Sequence, residues 1–192
     1  MKTKQNELVL SIPVIQTYSS LEEAIAAGKQ HNLPMSDTKQ LPMTSHNILK
    51  IQSGFKTQTR RIATRNISPG IYWLREQAQY VYFEEDTHAI VRYRLDGQYS
   101  GLIESLKPTN PKTSMARGIP KAFARLFINV FDVQNERLQD ISVEDAIAEG
   151  INLYSNDPIS DFIDLWDSIY GKKPGCDWIS NPNVKVLKFD LL

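Results

Sequence analysis

The 192-residue sequence predicts an α+β domain, a small mixed β-barrel with helices packed outside it. Two observations predict this class. Segments with the two-residue alternation of strands lie before and after several short segments that carry helix-capping residues. Hydrophobic residues make up 41% of the chain, which is enough apolar material for one core of ordinary domain size.

The N-terminal forty residues are predicted to be an extension, residues 1–40, attached to a domain over residues 41–192. Ser20 followed by Glu23 matches a capping box and predicts a short helix, which ends at the Leu33-Pro34 dipeptide. Residues 36–40 are polar and are expected to be a linker. The extension is expected to pack on or beside the domain.

Helix and strand patterns then alternate along the first half of the domain. Thr44 is the predicted N-cap of a second helix, which stops at Gly54 because glycine is favoured as a C-terminal cap. Threonine-rich alternation follows immediately and predicts a strand. The predicted strands of this half are 56–62, 71–75, 79–83 and 89–94.

The second half of the domain carries the clearest helix. Asp157-Pro158 reads as an N-cap followed by proline at the first helical position, and Gly171 closes the segment. Its apolar stripe is assigned to the core: Ile159, Phe162, Ile163, Trp166, Ile169 and Tyr170. The other predicted elements are a proline-containing loop over 105–120, a central strand over 125–133, a helix from Ser142 to Gly150 and a final strand over 184–191.

Several classes of protein are excluded or disfavoured by what the sequence lacks. The single cysteine, Cys176, allows no intramolecular disulfide, and no apolar run is long enough to span a membrane. The start has too little apolar sequence for a signal peptide, so a cytoplasmic protein is expected. The three histidines lack metal-ligand spacing, and no phosphate-binding glycine loop or nucleophile elbow occurs. No metal or other cofactor is therefore expected.

The charges are unevenly distributed although they sum to zero. Residues 38–75 and 105–131 contain lysines and arginines but no acid, and the acids gather over 132–167. This segregation predicts one basic face, which would fit a nucleoside or a single-stranded nucleic acid as partner. The alternative is that the charges intermix in space. A membrane partner is not expected, and a monomer is favoured.

One segment, Gly54-Phe55-Lys56-Thr57-Gln58-Thr59-Arg60-Arg61, concentrates polar and basic residues directly after a helix cap. Strand alternation puts Thr57, Thr59 and Arg61 on one face, whereas the direction of Lys56 at the corner is not fixed. Composition alone favours a structural role, in which long basic side chains keep an edge strand from pairing with other chains.

The same segment fits the G-x-K-x-x-T-x-R signature of ASCH-domain proteins, with Gly54, Lys56, Thr59 and Arg61 at the defining positions. Further blocks resemble the phage-encoded subgroup that is often labelled phage morphogenetic protein. They are Pro69–Glu76, Pro120-Lys121 with Arg125, Glu136–Ile141 with Glu144–Gly150, Leu165–Ile169, and Trp178–Leu191. The resemblance covers residues 41–192. It departs from the subgroup at Ala122 and Phe123, and at Tyr72-Trp73-Leu74, where the aromatic is shifted by one position.

The resemblance implies a PUA-like barrel and, for characterised members of the wider family, amidohydrolase activity on N(4)-acetylcytidine. The residues it implies for catalysis are Lys56, Thr59 and Glu149. The residues expected to bind substrate around them are Gly54, Arg61, Arg75, Lys121, Arg125 and Trp73. The location implied for a phage-encoded member is the host cytoplasm.

The chemistry of these residue types fits amide hydrolysis. A threonine hydroxyl needs a nearby base, and neutral Lys56 is such a base if burial and the cations Arg60 and Arg61 lower its pKa. Glu149 would pass the proton to the leaving amine, and Arg61 would help to stabilise the developing oxyanion. The alternative for Glu149 is a solvated residue at a helix end.

Two other functions stay open at this level. The first is a binding module without catalysis that recognises RNA or a modified base, with Trp73 stacking on a base or simply packing in the core. The second is a structural virion protein, which rests on the subgroup's label alone.

Overall fold

The computed structural model of the chain describes residues 15–29, 38–63, 66–85, 87–104 and 119–192. Within these residues two five-stranded sheets and four α-helices form an α+β fold, as the sequence predicts. In chain order the elements are β1 (Thr17–Tyr18), α1 (Leu21–Ala26), β2 (Lys39–Pro42), α2 (Ser45–Gln52), β3 (Gln58–Ile62), β4 (Gly70–Arg75), β5 (Ala78–Glu84), β6 (His88–Tyr93), β7 (Tyr99–Ser100), β8 (Ile103–Glu104), β9 (Phe127–Arg137), α3 (Val143–Ala148), α4 (Pro158–Tyr170) and β10 (Asn183–Leu191).

The sheet that carries the signature segment has the strand order β2-β4-β9-β10-β3. Strand β2 runs parallel to β4, and the other neighbours are antiparallel. The edge strands β2 and β3 are linked by a side chain, because Nη2 of Arg61 donates a 3.0 Å hydrogen bond to the carbonyl of Pro42. The sheet therefore curls until its edges approach, although the strand pairing of the described residues does not close into a barrel.

The interior of this curled sheet holds the largest apolar cluster of the described residues. Helix α2 enters it with Ile48 and Ile51, and Thr44 caps the start of that helix as predicted. Residues from β2, β4, β9 and β10 surround the helix. They are Leu41, Met43, Tyr72, Leu74, Ile128, Val130, Leu187 and Phe189.

The outer face of strands β9, β10 and β3 is covered by α3 and α4. Phe162 and Trp166 of α4 are buried there with Val184 of β10, and Asp157 caps the helix as predicted. The core assignment of the whole stripe is wrong for Ile169, which is 42% exposed because it lies in the last turn of the helix.

The second sheet has the order β1-β7-β6-β5, with β8 paired to β6. Helix α1 covers one of its faces through Ala24, which packs with Ile90 and Leu102. Residues 15–29 of the N-terminal extension are therefore joined to this sheet. The expected linker is wrong in part, because Lys39–Pro42 forms strand β2 and pairs with β4.

Element boundaries differ modestly from the predictions. The strand expected from Lys56 begins at Gln58, because the amide of Lys56 bonds back to Lys50 of α2 and the amide of Thr57 bonds to Ala148 of α3. The central strand continues to Arg137, where the sequence is polar, because it pairs with β10 along that length. Most of the predicted loop, residues 105–118, lies outside the described residues. No helix in the described part of the chain has the length and apolar character needed to cross a membrane.

Candidate functional site

The centre of the candidate site is an ion pair between Lys56 and Glu149. The turn after α2 places Lys56, whose amide donates to the carbonyl of Lys50 at 3.0 Å. Glu149 is the C-terminal cap of α3. Nζ of Lys56 donates to Oε2 of Glu149 at 2.6 Å and to its main-chain carbonyl at 2.7 Å. Two residues that are 93 positions apart in the chain therefore meet directly.

This ion pair is almost completely removed from solvent, with side-chain exposures of 2% for Lys56 and 5% for Glu149. Burial lowers the pKa of Lys56, and the carboxylate of Glu149 opposes that shift. The cations Arg61 and Lys50 lower the pKa further. Arg61 is one of the two cations that were expected to act on Lys56. The second contributing cation is Lys50, whereas Arg60 was expected.

Arg60 has a different position, at the centre of three carboxylates. Its Nε donates to Glu136 and its Nη2 to Asp145, both at 2.7 Å, and its Nη1 lies 3.4 Å from Glu149. The side chain is 0% exposed, and the ring of Phe162 lies 5.9 Å from the guanidinium carbon. The sequence interpretation missed this cluster. No local pattern indicates it, because the three carboxylates come from β9 and from the region of α3.

Thr59 lies on the opposite face of β3 from Lys56 and Arg60. It is 2% exposed and is paired across the strands with Leu187, which belongs to the interior of the curled sheet. Among the described residues no side-chain hydrogen bond joins Thr59 to Lys56 or to Glu149. The structure thus brings two of the three residues implied for catalysis together and directs the third into the other side of the sheet.

Gly150 allows α3 to approach the aliphatic stem of Lys56. Its φ is +91°, in the left-handed region that favours glycine. A Cβ built on Gly150 would lie 2.8 Å from Cδ of Lys50 and 3.3 Å from Cβ of Lys56. The close packing beside the ion pair therefore depends on the missing side chain. Gly54, which ends α2, also has a positive φ of +75°, but nothing lies within 4 Å of its Cβ position.

Arg61 does not contact the ion pair and instead lines a pocket of about 370 Å³ beside β3. Its Nη2 donates to Pro42 and contacts the sulfur of Met43 at 3.2 Å. The pocket walls include residues of β2, β3 and the end of α4. Lys56, Thr59 and Glu149 are not among its lining residues.

Arg125 is held by acids rather than presented to a ligand. Its Nε and Nη2 bind the buried carboxylate of Glu76 at 2.9 and 2.8 Å, and its Nη1 binds Asp96 at 2.7 Å. Its guanidinium carbon lies 3.9 Å from the ring centroid of Tyr93. Burial would lower the pKa of Arg125, but the hydrogen bonds that it donates to these carboxylates, and their negative charges, outweigh burial and raise it. This arrangement indicates a structural clamp.

The other expected substrate-binding residues lie at separate places in the fold. Trp73 is 6% exposed and packs with Ala124 and Phe127, so it occupies the core position that was the alternative to base stacking. Arg75 is half-buried at the end of β4, where its carbonyl accepts the amide of Met43. Lys121 lies in a 3₁₀ helix, Lys121–Phe123.

The charged residues intermix more than the sequence distribution predicts. Lys56 and Arg60, from the first acid-free stretch, are neutralised by acids of the later acidic stretch, and Arg125 is neutralised by Glu76 and Asp96. Much of the second acid-free stretch, residues 105–118, lies outside the described part of the chain, so the predicted basic face stays a prediction. In the described ranges no group of three or more His, Cys, Asp or Glu residues is placed to hold a metal ion.

Comparison of the chain with family models, with curated proteins and with solved structures gives no match. The resemblance to ASCH-domain proteins therefore rests on the sequence blocks given above. The function has to be argued from the contacts of the site itself.

Proposed function

We propose that this chain is an ASCH-type protein of the PUA-like superfamily that hydrolyses N(4)-acyl groups from cytidine-type substrates. The observation that carries the proposal is the 2.6 Å contact between Lys56 and Glu149. The resemblance implies a proton-handling role for these two residues. A lysine and a glutamate in direct contact are a competent acid–base pair for amide hydrolysis.

The curled sheet supports the PUA-like part of the proposal. Its edge strands β2 and β3 approach closely enough for Arg61 of one edge to bind Pro42 of the other. A sheet bent to this degree, with α2 packed inside it, has the general form of a small barrel that is joined at one seam by side chains instead of a strand ladder.

In the proposed reaction Glu149 is the base and Lys56 is the acid. The ion pair holds Lys56 in its charged form, and burial makes its proton easier to give up. Glu149 accepts a proton from a water molecule, and the oxygen of that water bonds to the acyl carbon. The carbon–nitrogen bond then breaks as Lys56 donates a proton to the leaving amine. Proton transfer from Glu149 to Lys56 restores the pair, and the products are a carboxylic acid and the free cytidine.

In this proposal water replaces Thr59 as the nucleophile. Thr59 projects from the other face of β3, and no hydrogen bond to the described residues connects its hydroxyl with Lys56. Activation of a threonine hydroxyl requires a base within hydrogen-bond reach. Lys56 and Glu149 are in hydrogen-bond reach of each other.

The second candidate function is a module that binds RNA or a modified base without catalysis. The burial of the ion pair favours the absence of catalysis, because a substrate reaches Nζ of Lys56 only after the groups packed over it move. A structural ion pair needs no such movement. The two functions make opposite predictions for turnover.

The test is incubation of the protein with a panel of N(4)-acylated cytidines, as nucleosides and within short single-stranded RNA, followed by chromatography of the products. We expect the wild-type chain to release free cytidine and Glu149→Gln to be inactive. Lys56→Arg should also be inactive, because arginine keeps the charge of the pair but does not give up its proton near neutral pH.

The matched control is Lys172→Arg, which makes the same replacement at an exposed lysine after α4 and should retain full activity. Circular dichroism of each variant checks that the fold is kept. Absence of turnover by the wild-type chain across the panel, together with RNA binding that Lys56→Arg leaves intact, contradicts hydrolysis and supports the binding module.

A further inference from the structure

The side-chain amide of Gln58 is a buried hydrogen-bond donor without an acceptor. Gln58 is the first residue of β3 and is 3% exposed, and its Nε2 makes no hydrogen bond to the described residues. Buried polar groups are paired in the great majority of cases, and an unpaired buried amide costs roughly 1–3 kcal/mol. A donor in this state is available to an acceptor that the described part of the chain does not supply.

This donor lies on the same face of β3 as Arg60. The two residues are two positions apart in one strand, so their side chains project to the same side. That side faces α3, because Arg60 binds Asp145 at 2.7 Å and lies 3.4 Å from Glu149. Burial alone would raise the pKa of Asp145, whereas Arg60 and Gln58 lower it, which agrees with an amide near that carboxylate.

The start of β3 is fixed beside the Lys56–Glu149 ion pair. The amide of Thr57, which precedes Gln58, donates to the carbonyl of Ala148 at 3.0 Å, and Ala148 precedes Glu149. Oε2 of Glu149 in turn accepts from Nζ of Lys56 at 2.6 Å. Gln58 is therefore a neighbour of the ion pair along both of the segments that form it.

The proposed hydrolysis needs a donor for the acyl oxygen, and the residue expected from the sequence does not fit. When water attacks the acyl carbon, the electron pair of the carbonyl bond moves to the oxygen, which becomes negatively charged. Arg61 was expected to stabilise this charge, but among the described contacts its Nη2 binds Pro42 on another side of the strand. Lys56 donates to the leaving amine and Glu149 accepts the proton of water, so both are already used.

The cluster around Arg60 becomes more accessible towards Asp145. Lys56 and Glu149 are buried, whereas the side chain of Asp145 is half-buried. Because Gln58 lies near Asp145, an acyl group that approaches from this side reaches the amide of Gln58 next to the ion pair.

We propose that Gln58 is the oxyanion donor of this hydrolysis, and that its Nε2 donates a hydrogen bond to the acyl oxygen of the N(4)-acylated substrate. No proton is transferred to that oxygen. The electron pair returns to the carbonyl bond as the carbon–nitrogen bond breaks and Lys56 protonates the amine. A glutamine amide suits the role because it is neutral and leaves the charges of Lys56 and Glu149 balanced. The inference rests on the proposed function and names the substrate atom that Gln58 recognises.

Steady-state kinetics of Gln58→Met on N(4)-acetylcytidine test the inference, since methionine has a similar length and lacks the donor. We expect kcat to fall by about 100-fold, as for the loss of an oxyanion donor, with little change in KM. Gln79→Met, at an exposed glutamine of β5, is the matched control and should keep the wild-type kcat. A glutamine with a purely structural role would instead lower the urea unfolding midpoint and leave kcat unchanged.

A substrate with sulfur in place of the acyl oxygen tests the contact itself. Sulfur is a weak hydrogen-bond acceptor. The ratio of kcat/KM for acetylcytidine to that for thioacetylcytidine should therefore be several-fold larger in the wild-type chain than in Gln58→Met. An equal ratio in the two proteins overturns the inference. Should Gln58→Met fail to fold, Gln58→Asn takes its place, because it withdraws the amide by one carbon and should lose kcat in the same way.

The outcomes distinguish this inference from the proposed function. Absence of turnover by the wild-type chain overturns both. Turnover by the wild-type chain, with a folded Gln58→Met protein whose kcat lies within about threefold of that of Gln79→Met, overturns the role of Gln58 alone and leaves hydrolysis standing.

Discussion

The carboxylate of Asp145 accepts a 2.7 Å hydrogen bond from Nη2 of Arg60, and this contact joins helix α3 to the edge strand β3. Burial alone would raise the pKa of Asp145, but the hydrogen bond from Arg60 and the nearby amide of Gln58 outweigh burial and hold the pKa below its usual 3.8. The buried amide nitrogen of Gln58 makes no hydrogen bond to the described residues. A group whose pKa is lowered by folding stabilises the fold at pH values above its unfolded pKa.

We therefore expect Asp145→Asn to lower the free energy of unfolding by about 1–2 kcal/mol at neutral pH, since Arg60 keeps Glu136 as a partner. The stability of the wild-type chain should fall as the pH drops below 3.8 towards the lowered pKa of Asp145, and the difference between the two proteins should shrink there. Urea unfolding across this pH range measures both effects. Glu144→Gln, at the exposed neighbour, is the control, and an equal pH dependence of its stability loss would contradict the assignment.

The buried ion pair of Lys56 and Glu149 should show strong energetic coupling. Lys56→Met and Glu149→Gln each leave a buried partner uncompensated, and we expect each to cost about 3–5 kcal/mol of unfolding free energy. The double variant should cost less than the sum of the two by at least about 1 kcal/mol. Denaturant unfolding of the wild-type chain, the two single variants and the double variant completes this double-mutant cycle. Additive losses would show that the two side chains do not interact in solution.

Valine substitutions at the two threonines of the signature segment distinguish the catalytic role of the hydroxyl group from its role in packing. Thr59→Val conserves shape at a buried position, whereas Thr57→Val does so at an exposed one. If water is the nucleophile, we expect Thr59→Val to keep its turnover of N(4)-acylated cytidine to within a few-fold of Thr57→Val. Steady-state kinetics decide the matter. Loss of turnover in a folded Thr59→Val protein would assign the nucleophile to Thr59, as the resemblance implies.

Alanine substitutions at two glycines with positive φ distinguish the energetic cost of backbone strain from that of a steric clash. At Gly175 (φ +70°) nothing lies within 4 Å of a Cβ, whereas at Gly150 (φ +91°) a Cβ would clash with Lys50. We expect Gly175→Ala to cost about 1–2 kcal/mol from strain alone and Gly150→Ala to cost more than this. Thermal unfolding of both variants measures the difference. Equal losses would mean that the stems of Lys50 and Lys56 move aside freely.

Local signals accounted for most of the helices and long strands. Ser20, Thr44, Ser142 and Asp157 cap the four helices at the predicted positions, because capping depends on side chains within three residues of the helix start. Strand β2 was missed because Lys39 and Gln40 are polar and the strand is stabilised by parallel pairing with β4, which is a long-range contact.

The site was predictable only in part, for the same reason. The positions of Lys56 and Glu149 followed from the resemblance, and their contact joins residues that local patterns do not relate. The alternation of side chains along the strand puts Thr59 and Arg60 on opposite faces of β3. The direction of Lys56 depends on the turn after Gly54, which places it on the side of Arg60. The carboxylates around Arg60 come from β9 and α3, and no pattern within β3 indicates them.

The placement of β3 beside β10 has a consequence for the order of folding. Strand β9, helices α3 and α4, and strand β10 are consecutive in the chain, so they can assemble with short loops. Strand β3 must join them from a distant part of the chain, and closure of that long loop is entropically costly. We expect contacts across this junction to form late, so that the Lys56–Glu149 ion pair slows unfolding and contributes little to the rate of folding.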